Sequence, residues 1–194
     1  MIWHNRKIVF IHIPKCGGTS VRKAIQKKIP GKHQNRTWVR GWKTQVGNLW
    51  NQHATYDRYS LTVPKEYKYI AQVRNPFDRF ESMWKHMTRQ KFTDTPFNEW
   101  GINAIDGLKE GHWKACFDKK LPGHISDPSV LFKPQWQWVR DDVIIFKMED
   151  KVIWKFLDLP EENLNVSNTK GEWSSELYKK VADFYEKDFE EFRY

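Results

Sequence analysis

The stretch "HIPKCGGTS", residues 12 to 20, decides how the rest of the chain is read. It follows the apolar run "KIVFI" and leads into "VRKAIQKK", which has helical spacing. "KIVFIHI" (7 to 13) is β-branched and aromatic and is followed by Pro14, Gly17 and Gly18, so it predicts a buried strand. Thr19 or Ser20 is then expected to cap a helix that stops near Pro30-Gly31. A strand, a Gly-rich turn and a helix N-terminus together present unpaired backbone N–H groups and the positive end of a helix dipole. Gly17 and Gly18 let the backbone approach a ligand, Thr19 and Ser20 add hydroxyl donors, and Lys15 brings a mobile positive charge. This is a loop suited to an anion. Its lysine, however, precedes the glycines, whereas the ATP-type P-loop carries its lysine directly after the last glycine.

Further strands alternate with helices. "YKYIAQV" (67 to 73) and "DVIIFKM" (142 to 148) read as buried strands. After the first of them, Asn75 as N-cap and Pro76 at the first helical position open a helix. Its spacing puts Phe80, Met83, Trp84 and Met87 on one apolar face and Arg79 with Ser82 on another. Residues 91 to 140 read as short helices and loops, and a short helix ends near Pro160. A last helix, about 174 to 192, carries Tyr178, Val181, Ala182, Tyr185, Phe189 and Phe192 as its buried stripe. This alternation predicts a single α/β domain over residues 1–194, with a central, mainly parallel sheet flanked by helices in three layers. In such sheets ligands sit beyond the carboxyl ends of the strands, where both "HIPKCGGTS" and "VRNP" fall. An arginine at a strand end, Arg74, and a hydroxyl two helical turns on, Ser82, suit a phosphate clamp; they equally suit a structural arginine and an ordinary helical serine.

Composition narrows the partners. The 194 residues carry 33 Lys and Arg against 24 Asp and Glu, a net charge of +9 that favours an anionic ligand. The two cysteines, Cys16 and Cys116, form no CxxC pair, which argues against a disulfide framework or a cysteine zinc site. No apolar run approaches the roughly 20 residues that span a bilayer, and the N-terminus lacks a signal-peptide layout, so a cytoplasmic protein is expected. Only Asp150, after the third strand, offers itself loosely as a magnesium ligand. Both that and the misplaced lysine weaken a P-loop kinase or NTPase, which stays as an alternative beside a basic nucleic-acid-binding module.

Taken together, the two loop motifs resemble those of sulfotransferases that use 3′-phosphoadenosine 5′-phosphosulfate (PAPS), the Golgi-type carbohydrate sulfotransferase superfamily and its bacterial relatives, sulfotransferase family 2 among them. That family's 5′-phosphosulfate loop commonly reads "HIPKTGGTS", against "HIPKCGGTS" here. Its 3′-phosphate motif has Arg, then Pro two residues on, Arg five on and Ser eight on, matched by Arg74, Pro76, Arg79 and Ser82. The closing segment "LNVSNTKGEWSSELYKKVADFYEKDFEEFRY" also looks like the family's last stretch.

The resemblance implies a P-loop NTPase-like fold and sulfuryl transfer from PAPS to an acceptor hydroxyl, expected on a carbohydrate, with adenosine 3′,5′-bisphosphate as product. It implies no metal, and no nucleic-acid partner is expected. By the same carry-over Lys15 and the N–H groups around Cys16, Gly17, Gly18, Thr19 and Ser20 bind the 5′-phosphosulfate. Arg74 and Ser82 bind the 3′-phosphate, and Lys170-Gly171 supplies a late loop against the nucleotide. Cys16 replaces the family's usual Thr, a change the site should tolerate because backbone groups do the cradling. For the general base, His53 in "NQHATY" matches the "His-x-[ST]-aromatic" context of heparan-type 2-O-sulfotransferases, with His112, Asp57 and Glu66 as rivals. His12 reads as structural, being inside the strand. Trp38, Trp42 and Trp50, with Arg36, Arg40, Lys43 and Arg58, suit an acceptor cleft for a charged sugar ring, though aromatic residues among cations also suit nucleic acid or core packing.

Overall fold

The buried run Ile8–Ile11 forms a strand that lies between two others in a four-stranded sheet. The computed structural model describes residues 1–28, 53–61, 63–117, 128–162 and 170–194. In sheet order, β1 (Ile2–Trp3) pairs antiparallel with β2 (Ile8–Ile11), and β2, β3 (Lys68–Val73) and β4 (Val143–Lys147) follow in parallel. The expected α/β class with a mainly parallel sheet is therefore what the chain adopts. The strand read as 7 to 13 is shorter, because Ile13 turns its N–H back to the Ile11 carbonyl (3.2 Å) and leaves the ladder.

The chain divides into two compact units, Met1–Arg74 with Gln135–Asn165 and Asn75–Pro134 with Val166–Tyr194. Among the described residues the first holds the sheet and three α-helices, α1 (Gly18–Lys28), α2 (Tyr56–Ser60) and, after β4, α5 (Val152–Leu157). Val21, Ala24 and Ile25 of α1 pack with Phe10, Ile70 and Phe146 of the sheet and with Ile153, Trp154 and Leu157 of α5 in one core. Each such fully buried aliphatic or aromatic side chain contributes about 1.5–3 kcal/mol.

Among the described residues four α-helices build the second unit: α3 (Pro76–Arg89), α4 (Phe97–Lys109), α6 (Ser175–Phe184) and α7 (Glu186–Phe192). As expected, Asn75 caps α3, its side-chain oxygen accepting the Phe77 N–H (2.9 Å), with Pro76 in the first turn. Phe80, Met83 and Met87 are fully buried, as their spacing predicts. Arg79 departs from expectation: it is buried too, at 1% exposure, donating to the carbonyls of Leu131 (3.1 Å) and Lys133 (2.9 Å) with its cation over the Tyr185 ring. A buried guanidinium is tolerable where carbonyls and an aromatic face surround it.

Two readings of this unit need correction. The mixed segment 91 to 140 contains a 13-residue helix, α4, hidden in the sequence by Gly101 and Gly107. Both glycines are required by packing. A Cβ on Gly101 would lie 2.7 Å from a Leu177 methyl, and one on Gly107 would lie 2.3 Å from the Ala115 Cβ and 2.9 Å from the His112 carbonyl oxygen. The final helix, in turn, is broken at Tyr185, whose hydroxyl donates to the Phe132 carbonyl (2.9 Å). Glu186 and Asp188 then suit the positive end of the new helix. Within α6, Leu177 takes the buried position beside Gly101, while Tyr178 is exposed and stacks on Phe77 at 4.1 Å.

Gly107→Ala should therefore destabilise the protein by about 1–3 kcal/mol, because overpacking against Ala115 outweighs the gain in helix propensity of about 1 kcal/mol. A urea unfolding midpoint at or above that of the wild type would contradict this packing.

Candidate active site

Between β2 and α1 the backbone makes a tight loop with two left-handed residues, Lys15 at φ +67° and Gly17 at φ +72°. Glycine adopts this conformation freely, whereas for lysine it costs about 1–2 kcal/mol. The Cys16 N–H returns to the Ile13 carbonyl at 3.4 Å. Helix α1 then starts at Gly18 rather than after a Thr19 or Ser20 cap, with the N–H groups of Ser20 (3.0 Å) and Val21 (3.4 Å) both turned onto the Gly17 carbonyl. For Gly17, Gly18 and Thr19 no acceptor for the backbone N–H lies among the described residues. Three consecutive donors at a helix N-terminus make a cradle for an anion.

The cradle rests on a polar floor. A Cβ on Gly18 would lie 2.0 Å from the His12 ring, so only glycine fits above that imidazole. Behind Gly17 are Met148 and the carboxamide of Gln72, a buried residue of β3. Neither His12 Nδ1 nor Gln72 Oε1 has a hydrogen-bond partner among the described residues. His12 is buried, and it sits just past the strand rather than inside it.

His53 joins this cluster. Its Nδ1 lies 2.8 Å from the His12 carbonyl oxygen, and the two rings are 4.5 Å apart. A carbonyl can only accept, so Nδ1 carries the proton and Nε2 is left as the basic nitrogen. Burial lowers His53 to about 4, helped by the N-terminal amine and then by Lys15 and Arg22, outweighing the opposing hydrogen bond to the His12 carbonyl. Burial also holds His12 well below the usual histidine range, helped by its neighbours His53, Arg22 and Lys15. The rival bases sit elsewhere. His112 is exposed beside Glu110, Asp57 pairs with Arg140, and Glu66 is exposed. Asp150 is likewise exposed on the turn after β4.

Cys16 is completely buried and its thiol donates to Gln135 Oε1 at 3.1 Å. That burial leaves little room for a redox role. The same oxygen accepts the Arg74 N–H (2.9 Å), and Gln135 Nε2 donates to the Arg74 carbonyl (2.9 Å). Gln135 was not singled out by sequence reasoning; a glutamine in "KPQWQW" carries no motif that marks it.

Ser82 and Lys170-Gly171 belong to the second unit. Ser82 is half-buried on α3, one residue after Glu81, whose carboxylate accepts the Gly171 N–H at 3.1 Å. Burial pulls Glu81 upward, but Lys85 at 2.6 Å and the Gly171 N–H hold it below the usual carboxylate range. A Cβ on Gly171 would meet the Phe97 ring at 2.3 Å, and Lys170 is exposed. The late loop is thus tied to the helix that carries Ser82. The Trp38, Trp42 and Trp50 insert with Arg36, Arg40 and Lys43 lies outside the described residues; Arg58 is exposed on α2.

A family model described as the sulfotransferase family matches residues 1–143, a span that contains the cradle, His53, Arg74, Ser82 and Gln135 and ends before Lys170. No curated protein matches the sequence. Among solved structures the chain is similar to a sulfotransferase from Alicyclobacillus acidocaldarius, at 14% identity and a TM-score of 0.44, over 95% of this chain and 92% of that one.

Both histidines are neutral when folded and titrate near 6.5 when unfolded. Their contribution to stability is therefore complete above pH 6.5 and falls at lower pH, for His53 down to about 4 and for His12 in the same direction, since the unfolded chain takes up the protons first. The urea midpoint should drop between pH 7 and pH 5, and the His53 ring resonances should stay flat over that range. A His53 titration centred near 6.5 would contradict the burial described.

Proposed function

The chain belongs to the sulfotransferase family, and from that we propose that it moves the sulfuryl group of PAPS to an acceptor hydroxyl of a carbohydrate, as one catalytic domain over residues 1–194, in the cytoplasm. The observation that supports this most strongly is the cradle: three successive N–H donors at Gly17, Gly18 and Thr19, with Lys15 beside them. Those donors and the lysine fit an anion built from tetrahedral phosphate and sulfate groups, such as a phosphosulfate, whose charge sits on several oxygens. Among the described residues no helix is long and apolar enough to cross a membrane.

In this reading the donor supplies an activated sulfuryl group, and the protein's part is to position it and stabilise charge. The N–H groups of Gly17, Gly18 and Thr19, with the Thr19 and Ser20 hydroxyls, hold the 5′-phosphosulfate, while the Cys16 and Ser20 N–H groups, bonded to the Ile13 and Gly17 carbonyls, shape the turn. Arg74 takes the 3′-phosphate, with Ser82 the second ligand assigned by the sequence motif, and Lys170-Gly171 closes on the nucleotide. The acceptor oxygen forms a bond to sulfur as the bond from sulfur to the bridging oxygen breaks. Its electron pair leaves on the phosphate of adenosine 3′,5′-bisphosphate, where Lys15 neutralises the charge. The acceptor proton goes to His53 Nε2, the nitrogen left basic by the His12 carbonyl. A histidine lowered to about 4 is a weak base, but the neighbouring cations Lys15 and Arg22 contribute to that shift. An anionic donor bound beside them opposes it and raises His53 toward its working range.

Transfer of labelled sulfate from PAPS to a panel of glycans tests the assignment. Lys15→Ala and Arg74→Ala should abolish turnover, the second chiefly by weakening the nucleotide. His53→Ala should lower kcat by about 10²-fold or more with nucleotide affinity nearly kept. The acid limb of kcat against pH should lie above the ligand-free value of about 4. Undiminished turnover in His53→Ala would remove His53 from the mechanism, and failure to bind adenosine 3′,5′-bisphosphate would remove the donor assignment.

A further inference from the structure

Arg74 lies one residue past the end of β3, and the ladder does not reach it: the Met148 N–H from the β4 side bonds to the Val73 carbonyl at 2.8 Å. Its own N–H and carbonyl are instead both held by the side chain of Gln135, at 2.9 Å each. The carboxamide replaces a neighbouring strand for one residue, because it offers an acceptor and a donor with the spacing of a peptide group. Its orientation is fixed by the network. The Arg74 N–H needs the oxygen and the Arg74 carbonyl needs the NH₂, so toward that oxygen the Cys16 thiol acts as donor, at 3.1 Å against 3.6 Å for its other acceptor, the Pro14 carbonyl. Gln135 is completely buried, its bond to Cys16 is buried and its two bonds to Arg74 are partly so, which makes them costly to break.

One side chain therefore connects the interior of the 12–20 loop to the residue that leaves the neighbouring strand. We infer that Gln135 is a positioning residue that fixes the distance between the two phosphate-binding elements, and so sets selectivity for a nucleotide phosphorylated at both the 5′ and 3′ positions. This rests on the PAPS reading for the ligand, but not for the geometry. Cys16 enters as the link from the loop side: its side chain need not touch the ligand, only donate to Gln135. The Thr that the family commonly has at this position also carries a donor hydrogen, and Ser would keep one.

The test compares affinity for adenosine 3′,5′-bisphosphate with affinity for adenosine 5′-monophosphate, by calorimetry, so that the value of the 3′-phosphate is read as a ratio. In Gln135→Met, similar in size but without hydrogen bonds, the ratio should shrink by roughly tenfold, the loss expected for one or two buried hydrogen bonds. The monophosphate affinity should change much less. With PAPS as substrate the donor KM should rise more than kcat falls. Because Gln135→Met can fail to fold, Cys16→Ser and Cys16→Ala form a second pair: Ser should keep the wild-type ratio and Ala should reduce it. Parallel losses for both nucleotides, or a ratio unchanged in Gln135→Met and Cys16→Ala, would overturn the positioning role while leaving the donor assignment intact. A wild-type protein that does not prefer the bisphosphate would overturn the donor assignment, and this inference with it.

Discussion

The absence of a side chain at position 18 is the constraint from which the site follows. Any Cβ there would lie 2.0 Å from the His12 ring, so helix α1 can begin against the buried imidazole only with glycine at its first residue. That contact brings the helix N-terminus down to the end of β2 and leaves the backbone donors of Gly17, Gly18 and Thr19 without an acceptor among the described residues. It also explains why His12 is neutral: burial beneath the loop disfavours its charged form, and the nearby cations act in the same direction. A charged ring would add to the cost of folding under the loop. A neutral one leaves the positive potential there to Lys15, Arg22 and the helix dipole, which a bound anion can answer.

His53 is organised by the same residue. The His12 carbonyl fixes its tautomer while the His12 ring packs against it. A single residue thus supplies the floor of the anion loop and the orientation of the proposed base. Gln135 extends this economy to the far side of the loop, where its carboxamide meets both Cys16 and Arg74.

Features governed by local chemistry were legible in the sequence. The strands at 67 to 73 and 142 to 148 were marked by β-branched and aromatic runs, and the Asn75-Pro76 start of α3 by capping preference. The Gly-rich turn and its lysine were marked by composition alone. What could not be read depends on contacts distant in sequence. Arg79 is charged, and only the carbonyls of Leu131 and Lys133 make it a buried residue. Gly101 and Gly107 weaken the helical pattern of α4 locally and are demanded by Leu177 and Ala115. Gln135 lies 61 residues from Arg74, and nothing in its neighbourhood announces a strand-like pairing. The same holds for His53, whose motif was visible but whose tautomer and low pKa come from His12, 41 residues away.

On the proposed function, the backbone at Gly17, Gly18 and Thr19 is what receives the anion. The most direct measurement is to follow the amide resonances of these residues by NMR as adenosine 3′,5′-bisphosphate is added. On the account given, these three amides shift downfield together and saturably, more than others of α1, as their N–H groups gain charged acceptors. Saturable binding that leaves these amides unmoved while shifting others would contradict it.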